Sequence, residues 1–278
     1  MLTNNTCSQN IAVLITCYNR KENTYTCLES LYKADLPENF RITVYLVDDN
    51  SSDGTIQMIE ENYPAVKIIQ GNGQLYWNRG MRLAWEMAAK KNFDFYLWLN
   101  NDTYVFDSAL QDLLNAIKVK GTNTIVCGVT KSNLTNTITY GGFKNGKLLI
   151  PNGNLQPCDA FNGNLVLVPQ EVYMKIGNLD NTFSHSIGDL DYGLRAKKKG
   201  VNLIITDVSI AWCETNSRLP LCWDAEISLP KRFKYLYSPL GYANPSEFFI
   251  FEKRHYGILK AIYHFISIHL RLLFPKLW

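Results

Sequence analysis

Hydrophobic and polar positions follow two alternating periods through the first half of the chain. Residues 11–16, IAVLIT, form an unbroken apolar run, and 22–34 follow with Leu28, Leu31 and Tyr32 at helical spacing, which predicts a strand and then a helix. A second apolar run at 42–47 ends in an acidic turn, and 56–62 read as a helix stopped by Pro64. A third strand at 66–70 runs into Gly71-Asn72-Gly73, and 77–91 set Met81, Ala84, Trp85 and Ala88 on one helical face. The run at 94–103, DFYLWLNNDT, is patterned as a strand buried on both faces that stops abruptly on two amides and a carboxylate. Such alternation of strand and helix predicts a parallel sheet with right-handed crossovers and a ligand groove at the carboxyl ends of the strands.

The rhythm then changes. A helix at 107–119 and a strand at 125–129 are followed by TITYGGFKNGKLLI at 137–150, a hairpin turning at Asn145-Gly146. Residues 161–168 read as a strand, Pro169 opens a helix through Ile176, and DLDYGLRAKKK at 189–199 is a helix closing on Gly200. No repeat or low-complexity linker interrupts residues 1–250, so one mixed α/β domain is expected there, with 251–278 as a C-terminal amphipathic basic helix. In that tail Lys260, His264, Ser267 and Arg271 make one polar stripe on an apolar helix too short in its uncharged run to span a bilayer. Two readings stand. The helix lies on an anionic membrane surface, drawn by Lys253, Arg254, Lys260, Arg271 and Lys276 against Glu252, or it folds back as a core helix. His255, His264 and His269 are expected on its surface and not as ligands.

Bulk composition narrows the classes. A chain of 278 residues can bury a substantial core, and 28 Lys plus Arg against 25 Asp plus Glu is too slight an excess to imply nucleic acid as a partner. Seven cysteines, an odd number without a C-x-x-C pair, indicate neither a disulfide framework nor a zinc site, and a reducing cytoplasm is expected. The first ten residues, MLTNNTCSQN, lack the basic start and apolar middle of a signal peptide.

Three acidic groups fall at predicted strand ends or helix starts: Asp48 with Asp49, Asp102, and Asp189 with Asp191. Asn100, Asn101 and Asp102 offer oxygens suited to a hard cation, or supply turn chemistry and a helix cap. Asp189 and Asp191 suit a helix N-terminus in any case. Brought to one groove, the set would hydrogen-bond a polar ring or ribose, hold a cation and act as a base, which matches group transfer from a diphosphate donor.

VLITCYNR, VDDNSSDGT, GNGQLYWNRGMRLAW, LNNDT and GDLDYGLRAKKKG, in this order, resemble the family 2 inverting glycosyltransferases of the GT-A fold, especially their rhamnosyltransferase-like bacterial branch. The resemblance implies an α/β fold of the GT-A type, a Rossmann-like mixed sheet flanked by helices. It implies that Thr16, Tyr18, Arg20, Asp48 and Asp49 bind the nucleotide. Gly73, Asn78, Arg79 and Asn101 would face the donor sugar and diphosphate, and Asp102 would hold Mg or Mn. Asp189 would be the catalytic base, with Asp191 and Trp212 on the acceptor side. The expected reaction moves a sugar from dTDP-rhamnose or a UDP-hexose to a hydroxyl of a cell-surface glycan or lipid-linked saccharide. The expected place is the cytoplasm, peripheral to the inner face of an anionic membrane. Two positions depart from the pattern: Asn100 replaces the first carboxylate of D-x-D, and Gly188 stands where many relatives carry Glu. Residues 210–218 offer Trp212, Cys213 and Glu214 but no histidine for a cation.

Three rivals share parts of the pattern. A dinucleotide oxidoreductase or a nucleotidyltransferase would want a glycine-rich loop after the first strand, where Cys-Tyr-Asn-Arg stands. A degenerate, non-catalytic scaffold at the membrane would fit Asn100, Gly188 and the basic tail, but not the retained Asp102 and Asp189.

Overall fold

The computed structural model describes residues 8–215, 220–241 and 244–277. The expectations for the first seven residues with Cys7, for 216–218 and for Trp278 lie outside them. In chain order the elements begin β1 (Gln9–Cys17), α1 (Lys21–Lys33), β2 (Phe40–Asp48), α2 (Thr55–Asn62), β3 (Lys67–Gln70), α3 (Tyr76–Ala88) and β4 (Phe95–Leu99). The chain continues through β5 (Tyr104–Val105), α4 (Ala109–Lys120), β6 (Thr124–Lys131), β7 (Ile138–Tyr140), β8 (Gly142–Lys144), β9 (Lys147–Leu148), β10 (Ala160–Phe161) and β11 (Leu165–Pro169). It ends in α5 (Gln170–Ile176), α6 (Gly188–Lys198), β12 (Asn202–Trp212), α7 (Leu229–Leu236), α8 (Pro245–Tyr256) and α9 (Ile258–Leu273).

One sheet dominates, in the order β3-β2-β1-β4-β11-β6-β12-β5 with β7 on the side of β6, and β10-β8-β9 form a small second sheet. The pairs β1–β2, β1–β4, β2–β3 and β6–β12 are parallel, as the alternating pattern requires. β11 makes the sheet mixed, as expected of the whole chain: it runs antiparallel to both β4 and β6. It needs no crossover helix, because its chain is already at the carboxyl rim, where Asn100 N donates to Asn164 O at 2.9 Å. The run read as one strand at 161–168 is therefore broken at 162–164 into β10 and β11.

Pleating sorts the core into two layers. Ile11, Val13, Ile15, Leu97 and Leu99 face α1, α2 and α4, while Ala12, Leu14, Tyr96 and Trp98 face α3, α5 and α6. On the second face Trp85 and Trp98 are fully buried with ring centroids 5.4 Å apart. The expected hairpin forms between β8 and β9, with Asn145 at φ 51° and Gly146 at φ 73°, the left-handed pair of a type I′ turn. The tail is two helices and not one: Gly257, at φ 96°, ends α8 and begins α9.

Candidate active site

The carboxyl ends of β1, β2 and β4 lie on one rim, since Cys17 pairs with Asp48 and Leu14 with Trp98. Four non-glycine residues with positive φ occupy that rim: Asn19, Asn50, Tyr76 and Ile187. For Ile187 this is a genuine strain, because a β-branched side chain crowds the left-handed backbone. It immediately precedes α6 and Asp189. Stored backbone strain of this kind concentrates at functional sites.

Asp189 lies in the first turn of α6, half-buried. Its Oδ2 accepts from Gly163 N and its Oδ1 from Leu190 N, each at 2.8 Å. Burial nonetheless pushes its carboxyl above the ordinary aspartate range, outweighing those two bonds. Gly163 is a glycine for lack of room: a Cβ there would sit 2.5 Å from the Trp77 ring and 3.2 Å from Asp189 Cβ. Trp77 Nε1 donates in turn to Asn100 Oδ1 at 2.6 Å. Next on the same rim, Asp102 Oδ2 accepts from Arg20 Nη1 at 2.6 Å, and Cys213 Sγ lies 4.0 Å from Asp102 Oδ1. Asn164 Nδ2 donates to that sulfur at 3.5 Å. Asp102 and Asp189 are thus joined through β4, the 162–164 segment and the end of β12.

The acidic turn after β2 serves the same rim differently from expectation. Asp49 is buried, with Oδ1 accepting from Gly73 N at 2.8 Å and Oδ2 from Leu75 N and Tyr76 N at 2.8 and 3.1 Å. Asp48 is fully buried and accepts from Ser51 N at 2.8 Å. These carboxylates shape the 71–76 loop and the 48–53 turn from beneath. Thr16 is buried under Gly80, whose absent Cβ would fall 2.2 Å from its Oγ1, and Tyr18 is exposed at the end of β1. Arg79 Nε donates to Asn181 O at 3.2 Å. Asn78 Nδ2 donates to Asp180 O and Phe183 O at 2.8 and 2.7 Å, tying α3 to the loop before α6.

Three expected site residues make other contacts here. Asn101 is buried and donates to Thr24 Oγ1 at 3.0 Å, a pin between the strand end and α1. Trp212 packs its ring on Phe106 at 4.9 Å, with Lys131 Nζ 4.5 Å from its centre. Asp191 corrects the expectation of an acceptor contact: it is fully buried, bonded to Arg195 Nε, Arg254 Nη1 and His255 Nε2, each at 2.8 Å. Of the tail histidines His255 alone is corrected, while His264 and His269 stay half-exposed. His255 is buried on Asp191, His264 Nδ1 stands 3.0 Å from Glu252, and His269 Nε2 shares a 2.8 Å hydrogen bond with Tyr237.

Sequence reasoning missed Trp77, Gly163 and His185. His185 Nδ1 is buried without a hydrogen-bond partner among the described residues, and burial, then Arg20, lowers its pKa, so the ring is neutral. Nothing in the local pattern marks it, because its environment comes from residues far away in the chain.

Among the described residues no three His, Cys, Asp or Glu side chains gather as a metal cage. The donor set suits another arrangement, in which one carboxylate and substrate phosphates share a Mg-like ion, and Asp102, its side chain 28% exposed, fits that single place.

An α/β sheet with its polar groups gathered at the carboxyl rim, covered by helices on both faces, is the GT-A glycosyltransferase type. The chain belongs to the family described as Glycosyl transferase family 2, whose sequence model matches residues 12–164, and it is a glycosyltransferase. Among solved structures it is similar to S. aureus TarS 1–349 in complex with UDP-GlcNAc, at 16% identity and TM-score 0.59, over 94% of this chain and 81% of that one. It is also similar to the mannosyltransferase PcManGT of Pyrobaculum calidifontis in complex with GDP-Man and Mn2+, at 14% identity and TM-score 0.57, over 94% and 80%. At such identities the likeness shows the fold. No curated protein sequence matches the chain.

Proposed function

We propose that the protein is an inverting glycosyltransferase that moves a hexose or rhamnose from a nucleoside diphosphate to a hydroxyl of a cell-surface glycan or lipid-linked saccharide. Asp189 carries the reading. Its carboxyl is raised above the ordinary aspartate value by burial, held by two backbone N–H groups, and linked through Gly163, Trp77 and Asn100 to the rim that bears Asp102. A carboxylate so placed takes the proton of the attacking hydroxyl as that oxygen closes on the anomeric carbon. Tyr18 offers an exposed ring to the base, and the loop that Asp49 organises, Gly73 to Tyr76, offers its edge to the ribose. Arg20 and Arg79 supply positive charge for the leaving diphosphate. Mg or Mn, when bound through Asp102 and the donor phosphates, neutralises charge on the leaving group. Arg20 Nη1 holds one oxygen of Asp102, so a metal ion taking that oxygen would have to displace it. The structural neighbours bind UDP, UDP-GlcNAc and GDP-Man, which supports a nucleotide-sugar donor and leaves dTDP-rhamnose within the same class. A place at the cytoplasmic face of a membrane, in peripheral contact with anionic lipid, is part of this proposal.

Thermal shift against UDP, dTDP and GDP, with and without manganese, selects the nucleotide, and turnover is then measured on matching donors. Asp189→Asn should keep the nucleotide-induced shift and lose roughly a hundredfold or more in turnover. Unchanged turnover with intact folding would remove the base assignment. Asp102→Ala should abolish any response to manganese.

A further inference from the structure

The helix α9 is apolar on two opposite faces. Ala261, Ile268 and Leu272 are buried, the last two against Cys222 and Leu236, while Leu259, Ile262, Tyr263, Ile266, Leu270 and Leu273 are between 44% and 81% exposed. These six recur at spacings of three, one, three, four and three, which keeps them on one stripe about 20 Å long. A lone exposed leucine needs no explanation, but six on one helix face form a patch of the size that marks an interaction surface. No helix of the described residues is long and apolar enough to cross a bilayer.

Charge identifies the partner. Residues 229–278 hold eight Lys and Arg against two Asp and Glu, net +6, while the whole chain is net +3, so residues 1–228 are net −3. Both acids of the segment turn inward: Glu247 accepts from Ser184 and Glu252 is buried against Lys260 and His264. Lys231, Lys234, Lys253 and Lys276 are exposed. Two copies meeting through this stripe about a twofold axis would set the basic segment against itself, which disfavours a dimer.

We propose that the exposed stripe of α9 docks on an anionic lipid bilayer, the apolar side chains entering the headgroup boundary and the lysines at the end of α8 and at the C-terminal end, Lys253 and Lys276, meeting the phosphates. This deepens the peripheral location proposed above by naming its surface. Its test reads lipid binding alone, so it stands or falls apart from donor turnover.

The full chain is sedimented with vesicles of phosphatidylglycerol and phosphatidylethanolamine, and with vesicles of phosphatidylcholine. Binding is expected to the anionic vesicles, weakening as salt rises. Joint replacement Leu259→Ser, Ile262→Ser, Ile266→Ser and Leu270→Ser should reduce it more than about tenfold without lowering the melting temperature. Lys253→Gln with Lys276→Gln should reduce it roughly tenfold, and this pair decides the matter should the quadruple variant not fold. Absence of binding, binding indifferent to both sets of variants, or a stable dimer broken by the serine variant would each overturn the assignment.

Discussion

Asp189 shows how far a residue type alone carries. Its position at the head of a helix was legible, because acids favour that place electrostatically. What makes it a base is burial, which only the folded chain supplies. A raised carboxyl pKa means that Asp189 keeps its proton over a pH range in which a free aspartate, with pKa about 3.9, is already ionised. Turnover should therefore fall as pH drops through a midpoint above that value. The same shift means that ionised Asp189 costs folding stability above its folded pKa, and the cost disappears below its unfolded pKa. A pH profile whose acid limb sits at or below the ordinary value would contradict this. One residue before it stands Gly188, for a reason visible only in three dimensions. A Cβ there would fall 1.8 Å from Asn78 Oδ1, so Asn78 occupies the space that a side chain would need. Gly188→Ala should cost about 1–3 kcal/mol, read by denaturant unfolding, and combining it with Asn78→Ala should give a non-additive result.

At the scale of elements, periodicity read the first half well because its signals are local. The runs that became β1, β2, β4, α1 and α3 need only their own residues to declare a face. The antiparallel insertion of β11 and the two-helix tail depended on distant partners, and the expected helix at 253–278 hid a glycine break at Gly257. α8 is built into the site: Arg254 bridges Asp180 and Asp191, His255 bonds Asp191, and Phe251 packs on Phe183. No spacing rule connects Asp191 to a residue 63 positions away. Arg254→Met removes one of three partners of buried Asp191 and leaves Arg195 and His255, so it should destabilise the protein by about 1–3 kcal/mol. The half-exposed pair Lys197–Asp159 is the contrast: Lys197→Gln should cost under about 1 kcal/mol. Urea unfolding of the two variants measures the difference. His255 adds a pH dependence of known sign. Burial lowers its pKa, so the unfolded chain binds a proton that the folded chain refuses, and stability should decline as pH falls below about 6.5.

At the scale of the whole molecule, the division expected at residue 250 falls inside α8 (Pro245–Tyr256), and the consequences of cutting there differ from those of cutting at Gly257. A chain ended after residue 250 loses Phe251, Arg254 and His255 together. Asp191 is then left buried with Arg195 alone, and Asp180 loses its ion pair, both within the segment that carries Asp189. A chain ended after Gly257 keeps all of these and loses α9, which bares the small cluster of Cys222 and Leu236 but leaves the 180–191 segment braced. Both truncations lose buried apolar contacts, but only the first takes Arg254 and His255 from buried Asp191 and leaves it Arg195 alone, beside the base. The longer chain should therefore retain a nucleotide-induced thermal shift while losing attachment to anionic vesicles. The shorter chain should melt several degrees lower and be cleaved by protease between residues 180 and 191. If the two truncated chains melt together and respond alike to nucleotide, α8 does not brace the catalytic segment, and the link between the tail and the base is wrong.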